Sequence, residues 1–333
     1  NIGAAIGFAL YLSQAISVAF YIVAFGEAFG IVKPYIQEYL NVGYIDNRFF
    51  TVPALLVLIG IIFYKGANVG MQALYFVIAI LFASLAFFFI GNTPYGNDFT
   101  SEFLQRHIDS PNSFFYVFAI VFPAFTGMTA GVGLSGDLKD PSKSIPYGTL
   151  AATLVGMGVY VIIAFKMAKY ASPEELVDTS SLVMSKIAAW GPIIPLGLAA
   201  ATISSAIGSL LVAPRTLQAL AKDRIFVAKP INNFLRRGAG ELNEPRNATL
   251  ATAVLAMFFV LIGDVNFVAE IISMFFMVTY GSLCLISFFQ HFSGDPAYRP
   301  SFRSKWYISL LGGLVCFFLM FKMNTVYALL AIT

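Results

Sequence analysis

Apolar runs of about 20 residues follow one another along nearly the whole 333-residue chain. In hydrocarbon no water is available to the backbone, so a spanning segment must satisfy its own N–H and C=O groups as a helix or within a closed barrel. These runs are continuous rather than alternating, which excludes the strands of an outer-membrane barrel. Only 11% of the residues are charged and 59% are hydrophobic, against about 25% charged in a soluble domain. The expected fold is therefore all-α and polytopic, and the expected location is a cell membrane crossed several times.

Spans are expected over residues 2–31, 50–64, 70–90, 147–168, 191–213, 248–263, 267–289 and 306–321, with a broken one between 114 and 146. The last apolar stretch, 326–333, is too short to cross, and the sequence opens without Met inside an apolar run, so a fragment is expected. The loops at 91–112, 169–186 and 215–247 are polar, and the last is the most basic part of the chain. With Asn1 placed inside, most of the 20 Lys and Arg fall in inside loops, among them Lys139, Lys143, Arg224 and Arg236. A net charge of +3 does not point to nucleic acid. Cys284 and Cys316 lie in apolar runs and suggest no disulfide framework, and His107 and His291 are too scattered for a zinc site. No catalytic triad, carboxylate pair or metal-ligand cluster stands at membrane depth, so neither an enzyme nor a resident cofactor is expected.

The most informative stretch is residues 114–146, FFYVFAIVFPAFTGMTAGVGLSGDLKDPSKSIP. Pro123 has no N–H, so the Ala119 carbonyl loses its helical partner. Gly127, Gly131 and Gly133 follow closely and are expected to let the backbone unwind. Irregular backbone at bilayer depth persists only where it is buried in protein or lines a cavity, so a helix broken here marks either a binding site or a Pro/Gly kink that serves packing alone. The first half, ending near residues 125–126, offers free carbonyls suited to a cation. The second, starting near 127–129, offers free amides suited to an anion. The mixed charges of Asp137, Lys139, Asp140 and Lys143 read as a solvated helix cap.

The segment FPAFTGMTAGVGLSGDLKDPSKSIPYGTL resembles the cation–chloride cotransporters, whose sixth helix breaks at a Pro-x-x-Thr-Gly step before a Gly-Asp-Leu turn. The resemblance continues in AISVAFYIVAFGEAF, AAATISSAIGSLLVAPRTLQALAKDRIF, EIISMFFMVTYGSLCLISF and PAYRPSFRSKWYISLLGGLVCFFLMF, in a single register. It makes the chain one transport domain. Residues 1–90 match helices three to five of the family, 114–290 match six to ten, and 306–333 match eleven and the start of twelve. The first two helices are then missing and the twelfth is truncated. The implied architecture is the LeuT-like inverted repeat of the wider amino acid–polyamine–organocation superfamily.

By that resemblance Tyr21, Pro123 and Thr126 match the potassium site, a set of neutral hydroxyl and carbonyl oxygens of the kind that replaces potassium's hydration shell. Gly127, Met128 and Thr129, with the hydroxyl of Tyr280, match a chloride site at a half-helix N-terminus. Ala201, Ser204 and Ser205 match the sodium site. Taken alone, the spacing of small residues there reads equally well as a close-packed helix face. Glu27 matches a glutamate near the outer gate, whereas Glu270 stands where the family often has proline and is given no role. The resemblance implies electroneutral symport of chloride with potassium and sodium by alternating access, small inorganic ions and lipid as the partners, and a homodimer. An amino acid permease of the same superfamily is the other reading. It would set a substrate carboxylate on the same amides and would need a side-chain pocket beside them, which bulky Phe125 and Met128 disfavour.

Overall fold

The computed structural model describes residues 2–30, 32–65, 67–97, 113–133, 135, 138–178, 181–240, 243–293 and 305–332. Among these the chain is a helical bundle. Five helices are long and apolar enough to cross a membrane: α1 (Ile2–Glu27), α8 (Pro141–Tyr170), α11 (Ile193–Lys222), α14 (Val265–Gln290) and α15 (Trp306–Met323). α3 (Arg48–Lys65), α4 (Ala67–Ile90), α6 (Phe114–Val121) and α13 (Arg246–Ile262) carry shorter apolar stretches, and α16 (Thr325–Ile332) follows α15 closely. Short helices α2 (Lys33–Leu40), α5 (Pro94–Asn97), α7 (Met128–Gly133), α9 (Pro173–Val177), α10 (Val183–Ile187) and α12 (Lys229–Leu235) make the connections.

α1 forms the axis, packed against α11, α14, α13 and α3. Its Ile16, Val18, Ala19, Ile22 and Val23 are buried, joined in one core by Leu55, Leu210, Val260, Ile272 and Phe276. Polar residues inside this helix close on its own backbone. Ser13 Oγ donates to Leu10 O at 2.8 Å and Ser17 Oγ to Ser13 O at 2.6 Å, which lets both serines sit buried without unmet hydrogen bonds.

The longest disagreement with the expected spans is in α11. A span over 191–213 was expected, followed by Pro214 and an amphipathic tail into Lys222, with a basic loop counted from 215; one helix runs unbroken through Pro214 and takes in that tail, ending at Lys222. Arg215 is therefore a helical residue rather than part of a loop. α11 meets α4 closely at Gly197, where an added Cβ would stand 2.2 Å from Ser84 Oγ and 2.5 Å from its Cβ. Likewise α14 and α15 approach through Gly281, Gly312 and Gly313, and Ser287 and Ser309 bond across them at 3.0 Å. α8 behaves differently. Its end joins α4 and α10 in an outer cluster around Phe88, Ala171 and Ile187, while its apolar length lies off the bundle.

Candidate ion-binding site

The helix entering at Phe114 is broken. α6 is capped by Ser113, whose hydroxyl accepts from Tyr116 N, and ends at Val121. A 3-10 turn carries Phe122–Phe125, Thr126 is extended (φ −93°, ψ −179°), and α7 begins at Met128. Of the three glycines expected to loosen the chain, only Gly127 does so, at φ +108°, a conformation L side chains rarely adopt. Gly131 and Gly133 lie within α7 and are helical.

The carbonyl freed by Pro123 does not remain free. Ser273 Oγ on α14 donates to Ala119 O at 2.7 Å, both residues being buried. One of the oxygens expected to face a cation is thus held by the protein. The next carbonyl, Pro123 O, accepts from Thr126 twice, from the N–H at 3.1 Å and from Oγ1 at 2.7 Å.

Around the break the hydroxyls converge. Tyr21 on α1 is the side-chain hydrogen-bonding neighbour of Thr126. Tyr280 on α14 accepts from the Gly127 N–H at 3.2 Å and belongs to the core against which Tyr21 and Phe122 pack. So Tyr21, Pro123, Thr126, Gly127, Thr129 and Tyr280, residues spread over more than three-quarters of the sequence, meet at one place. Met128 opens α7 beside them with its side chain 39% exposed.

The remaining candidates are less tightly joined to this centre. Ala201, Ser204 and Ser205 are half-buried on α11, which packs against α7. Glu27, the last residue of α1, accepts from Asn47 Nδ2 at 3.1 Å, and Asn47 also accepts from Lys33. Glu270 accepts from Asn324 Nδ2 at 3.1 Å, while Asn324 caps α16 through the amides of Val326 and Tyr327. Asp140 stands at the N-cap position of α8, bonded by Ser142 Oγ at 2.6 Å and paired with Lys143 at 3.8 Å, but its side chain caps no backbone amide. Asp137 and His107 lie outside the described residues.

Three residues at the break were not singled out by sequence. Ser273 precedes Tyr280 by seven positions, two turns along one helix face, which is the pattern that could have revealed it. Gln14, 2% exposed, donates from Nε2 to Thr129 Oγ1 at 2.8 Å. Its only signal was a polar side chain in an apolar span. Tyr160 of α8 lies against Phe125 with ring centroids 4.9 Å apart. Between α8 and the break is a cavity of about 440 Å³ bounded by Thr126, Gly127, Met128, Gly148, Gly156 and Tyr160.

Neutral oxygens and backbone amides at a half-helix terminus can bind dehydrated ions, and nothing in the cluster is suited to covalent chemistry. Among the described residues no three His, Cys, Asp or Glu side chains group as metal ligands.

The amino acid permease family model matches residues 1–333. Solute carrier family 12 member 2 of Mus musculus is 32% identical over 381 aligned positions, covering 98% of this chain and 31% of the relative. Member 1 of Mus musculus is 31% identical over 97% of this chain and 34% of the relative. Member 3 of Pseudopleuronectes americanus is 35% identical over 70% of this chain and 26% of the relative. The chain spans about a third of the length of the curated relatives it matches. The chain belongs to the amino acid permease family, multi-pass membrane proteins within the amino acid–polyamine–organocation superfamily, and it is similar to the solute carrier family 12 relatives over nearly its whole length.

Proposed function

We propose that the chain carries chloride together with potassium, driven by sodium, in an electroneutral symport. The observation that carries this reading is the meeting of Tyr21, Thr126, Gly127 and Tyr280 at the break in one helix. Potassium is held by the hydroxyls of Tyr21 and Thr126 with the carbonyl of Pro123. Thr126 Oγ1 turns away from that carbonyl as the ion enters, exchanging a hydrogen bond for coordination. Chloride is held at the start of α7 by the amides of Gly127, Met128 and Thr129 with the Tyr280 hydroxyl. Sodium is held by Ser204, Ser205 and the Ala201 carbonyl on α11. Access alternates by rocking of the broken-helix unit against the α1–α11 core, in a LeuT-like inverted repeat, with Glu27 at the outer gate.

The test is uptake of labelled rubidium into vesicles carrying the complete gene product. Uptake that requires chloride on the same side, and rises with sodium, is the expected result. Tyr21→Phe is expected to weaken potassium dependence more than sodium dependence, and Ser204→Ala with Ser205→Ala to abolish the sodium response. Rubidium uptake indifferent to chloride rejects the reading.

A second reading has one specific observation in its favour. Phe125 and Met128 line the cavity of about 440 Å³ rather than fill it, so the volume an amino acid side chain needs is present beside the amides. A labelled amino acid taken up in the same vesicles, with no chloride dependence, favours this permease reading.

A further inference from the structure

The link from α11 to α13 is strongly basic. Residues 222–237 hold Lys222, Arg224, Lys229, Arg236 and Arg237 against the single acid Asp223. Three of these cations, Arg224, Lys229 and Arg236, line one cavity of about 470 Å³ together with Phe226, Val227 and Asn233. Among the described residues no carboxylate pairs with any of the three. Like charges around one cavity repel each other, and an anion held between them relieves that repulsion.

The backbone around the cavity is fixed by bonds of its own. α11 closes with Ile225 N donating to Leu220 O at 3.3 Å, and Arg224 stands in that turn in the left-handed region, at φ +57°. Glycine is the usual residue at such a helix end, because it has no Cβ to clash. An arginine there keeps a guanidinium at the cavity instead. Asn232, itself buried, staples the link: its Nδ2 donates to Phe226 O at 2.5 Å and to Ala228 O at 3.3 Å, and its Oδ1 accepts from Phe226 N at 3.3 Å. Buried Gln218 of α11 donates to Arg236 O at 3.3 Å, and Leu235 is buried in a cluster with Tyr11 and Leu217. The three cations are thus carried on a frame tied to α11 and α1.

The cavity also lies at the membrane boundary. Phe226 in its wall meets Phe8 of α1 edge to face, with ring centroids 6.3 Å apart, and α1 is apolar on both sides of Phe8. Val227 is fully exposed, and Ile231 and Phe234 are each nearly half exposed. Exposed apolar side chains beside a cationic cavity suit a phospholipid, whose phosphate is charged and whose chains are not. The excess of basic residues assigns this end of the bundle to the cytoplasm. We propose that Arg224, Lys229 and Arg236 form a binding site for the phosphate of one anionic phospholipid of the inner leaflet, with Val227 beside its acyl chains. The site is separate from the broken helix and does not depend on which solute the chain carries.

The experiment follows thermal unfolding of the complete protein in detergent as dioleoyl phosphatidylglycerol is added to the micelles, with phosphatidylcholine and inorganic phosphate as separate arms. Phosphatidylglycerol is expected to raise the midpoint saturably, and phosphatidylcholine to leave it in place. Equal shifts with the two lipids overturn the proposal. Inorganic phosphate that raises the midpoint as far, and prevents any further rise with phosphatidylglycerol, overturns the lipid as occupant. Lys229→Gln with Arg236→Gln should raise half-saturating phosphatidylglycerol about 25-fold, at about fivefold for each cation lost. Arg224→Gly should raise it about fivefold. Its midpoint without added lipid should be unchanged or higher, because glycine suits φ +57°, so lost binding is told apart from lost folding. Arg237→Gln removes the same charge from the same link but outside the cavity wall, and should change half-saturation by less than about twofold, since solvent screens a charge not in contact. If Arg237→Gln weakens binding as much as Arg224→Gly does, the attraction belongs to the net charge of the link and the proposed site is rejected.

Discussion

α8 and α11 are nearly the same helix by composition. Each has 30 residues, each contains an internal proline, and their most apolar stretches have mean hydropathies of 2.0 and 1.9. Their fates are opposite. Half of that stretch in α11 is buried and none of it in α8 is. Hydropathy reports that a segment suits lipid, and it is silent on which segments suit each other. What separates the two is the use made of small residues. Gly197 of α11 lets α4 come so close that a Cβ would overlap Ser84. Gly148, Gly156 and Gly158 of α8 have nothing within 4 Å of where a Cβ would be. α11 uses Gly197 for contact with α4, and α8 presents Gly148 and Gly156 beside the break.

The sharpest way to break this contrast is to add one methyl group to each helix. In Gly197→Ala the new carbon meets Ser84 Cβ at 2.5 Å, which rotation of a hydroxyl cannot relieve, so α4 or α11 must shift. Overpacking of this kind costs about 1–3 kcal/mol. Gly156→Ala meets no atom and gains helix propensity, worth about 0.5–1 kcal/mol in the stabilising direction. Thermal unfolding in detergent should move in opposite directions for the two. Equal shifts would show that α8 is as tightly held as α11.

α8 is held at one end, and a smaller effect should appear there. Lys166 Nζ donates to Phe89 O at 2.8 Å and to Gly91 O at 2.6 Å, carbonyls at the end of α4 that have no helical N–H to accept. The ammonium also lies 4.7 Å from the Tyr170 ring centroid and 5.6 Å from that of Phe88. Thr93 Oγ1 bonds Tyr170 O at 2.5 Å close by. Lys166→Met leaves two carbonyls short of a donor, at a cost of about 1–3 kcal/mol. Hydrogen exchange should then rise along the last turns of α8 and stay unchanged in α11. A rise spread evenly over both helices would mean that Lys166 serves the whole bundle rather than anchoring α8.

The sequence made the membrane class, the spans and the break legible for physical reasons that are local. Twenty apolar residues need a helix, and Pro123 followed by Gly127 cannot continue one. It also supplied Tyr21, Thr126, Gly127 and Tyr280, through a family resemblance rather than through spacing, and the structure brings these together. What it hid were the bonds that act across the fold. The carbonyl of Ala119 reads in one dimension as free, and only the packing of α14 places Ser273 on it. Pro214 reads as the border between a span and an amphipathic tail, yet α11 runs through it as one helix, with buried residues on both sides of the proline. The opposite destinies of α8 and α11 are hidden for the same reason, since packing partners are not a property of either segment alone.

The smallest expected effect lies just beyond the anchored end of α8. Glu175 closes a capping box on α9: Ser172 N donates to Glu175 Oε2 at 3.0 Å and Glu175 N to Ser172 Oγ at 3.2 Å. Lys186 of α10 approaches its other oxygen at 3.5 Å. The bond from the Ser172 backbone, and then the nearby Lys186 charge, hold this carboxyl below the usual carboxylate range. A carboxyl depressed in the folded state stabilises above its unfolded pKa, and that contribution is lost as pH falls through the folded value. The group is exposed, so solvent and salt weaken the effect. Glu175→Gln keeps a cap acceptor and removes the charge. Wild type should be slightly the more stable at neutral pH, and the difference should vanish in acid and shrink in high salt. Because α9 and α10 pack Leu176, Val183 and Met184 against the cluster that receives the end of α8, exchange in the last turn of α8 should follow the same pH course. A pH-independent difference would assign Glu175 to the cap alone and leave Lys166 as the anchor.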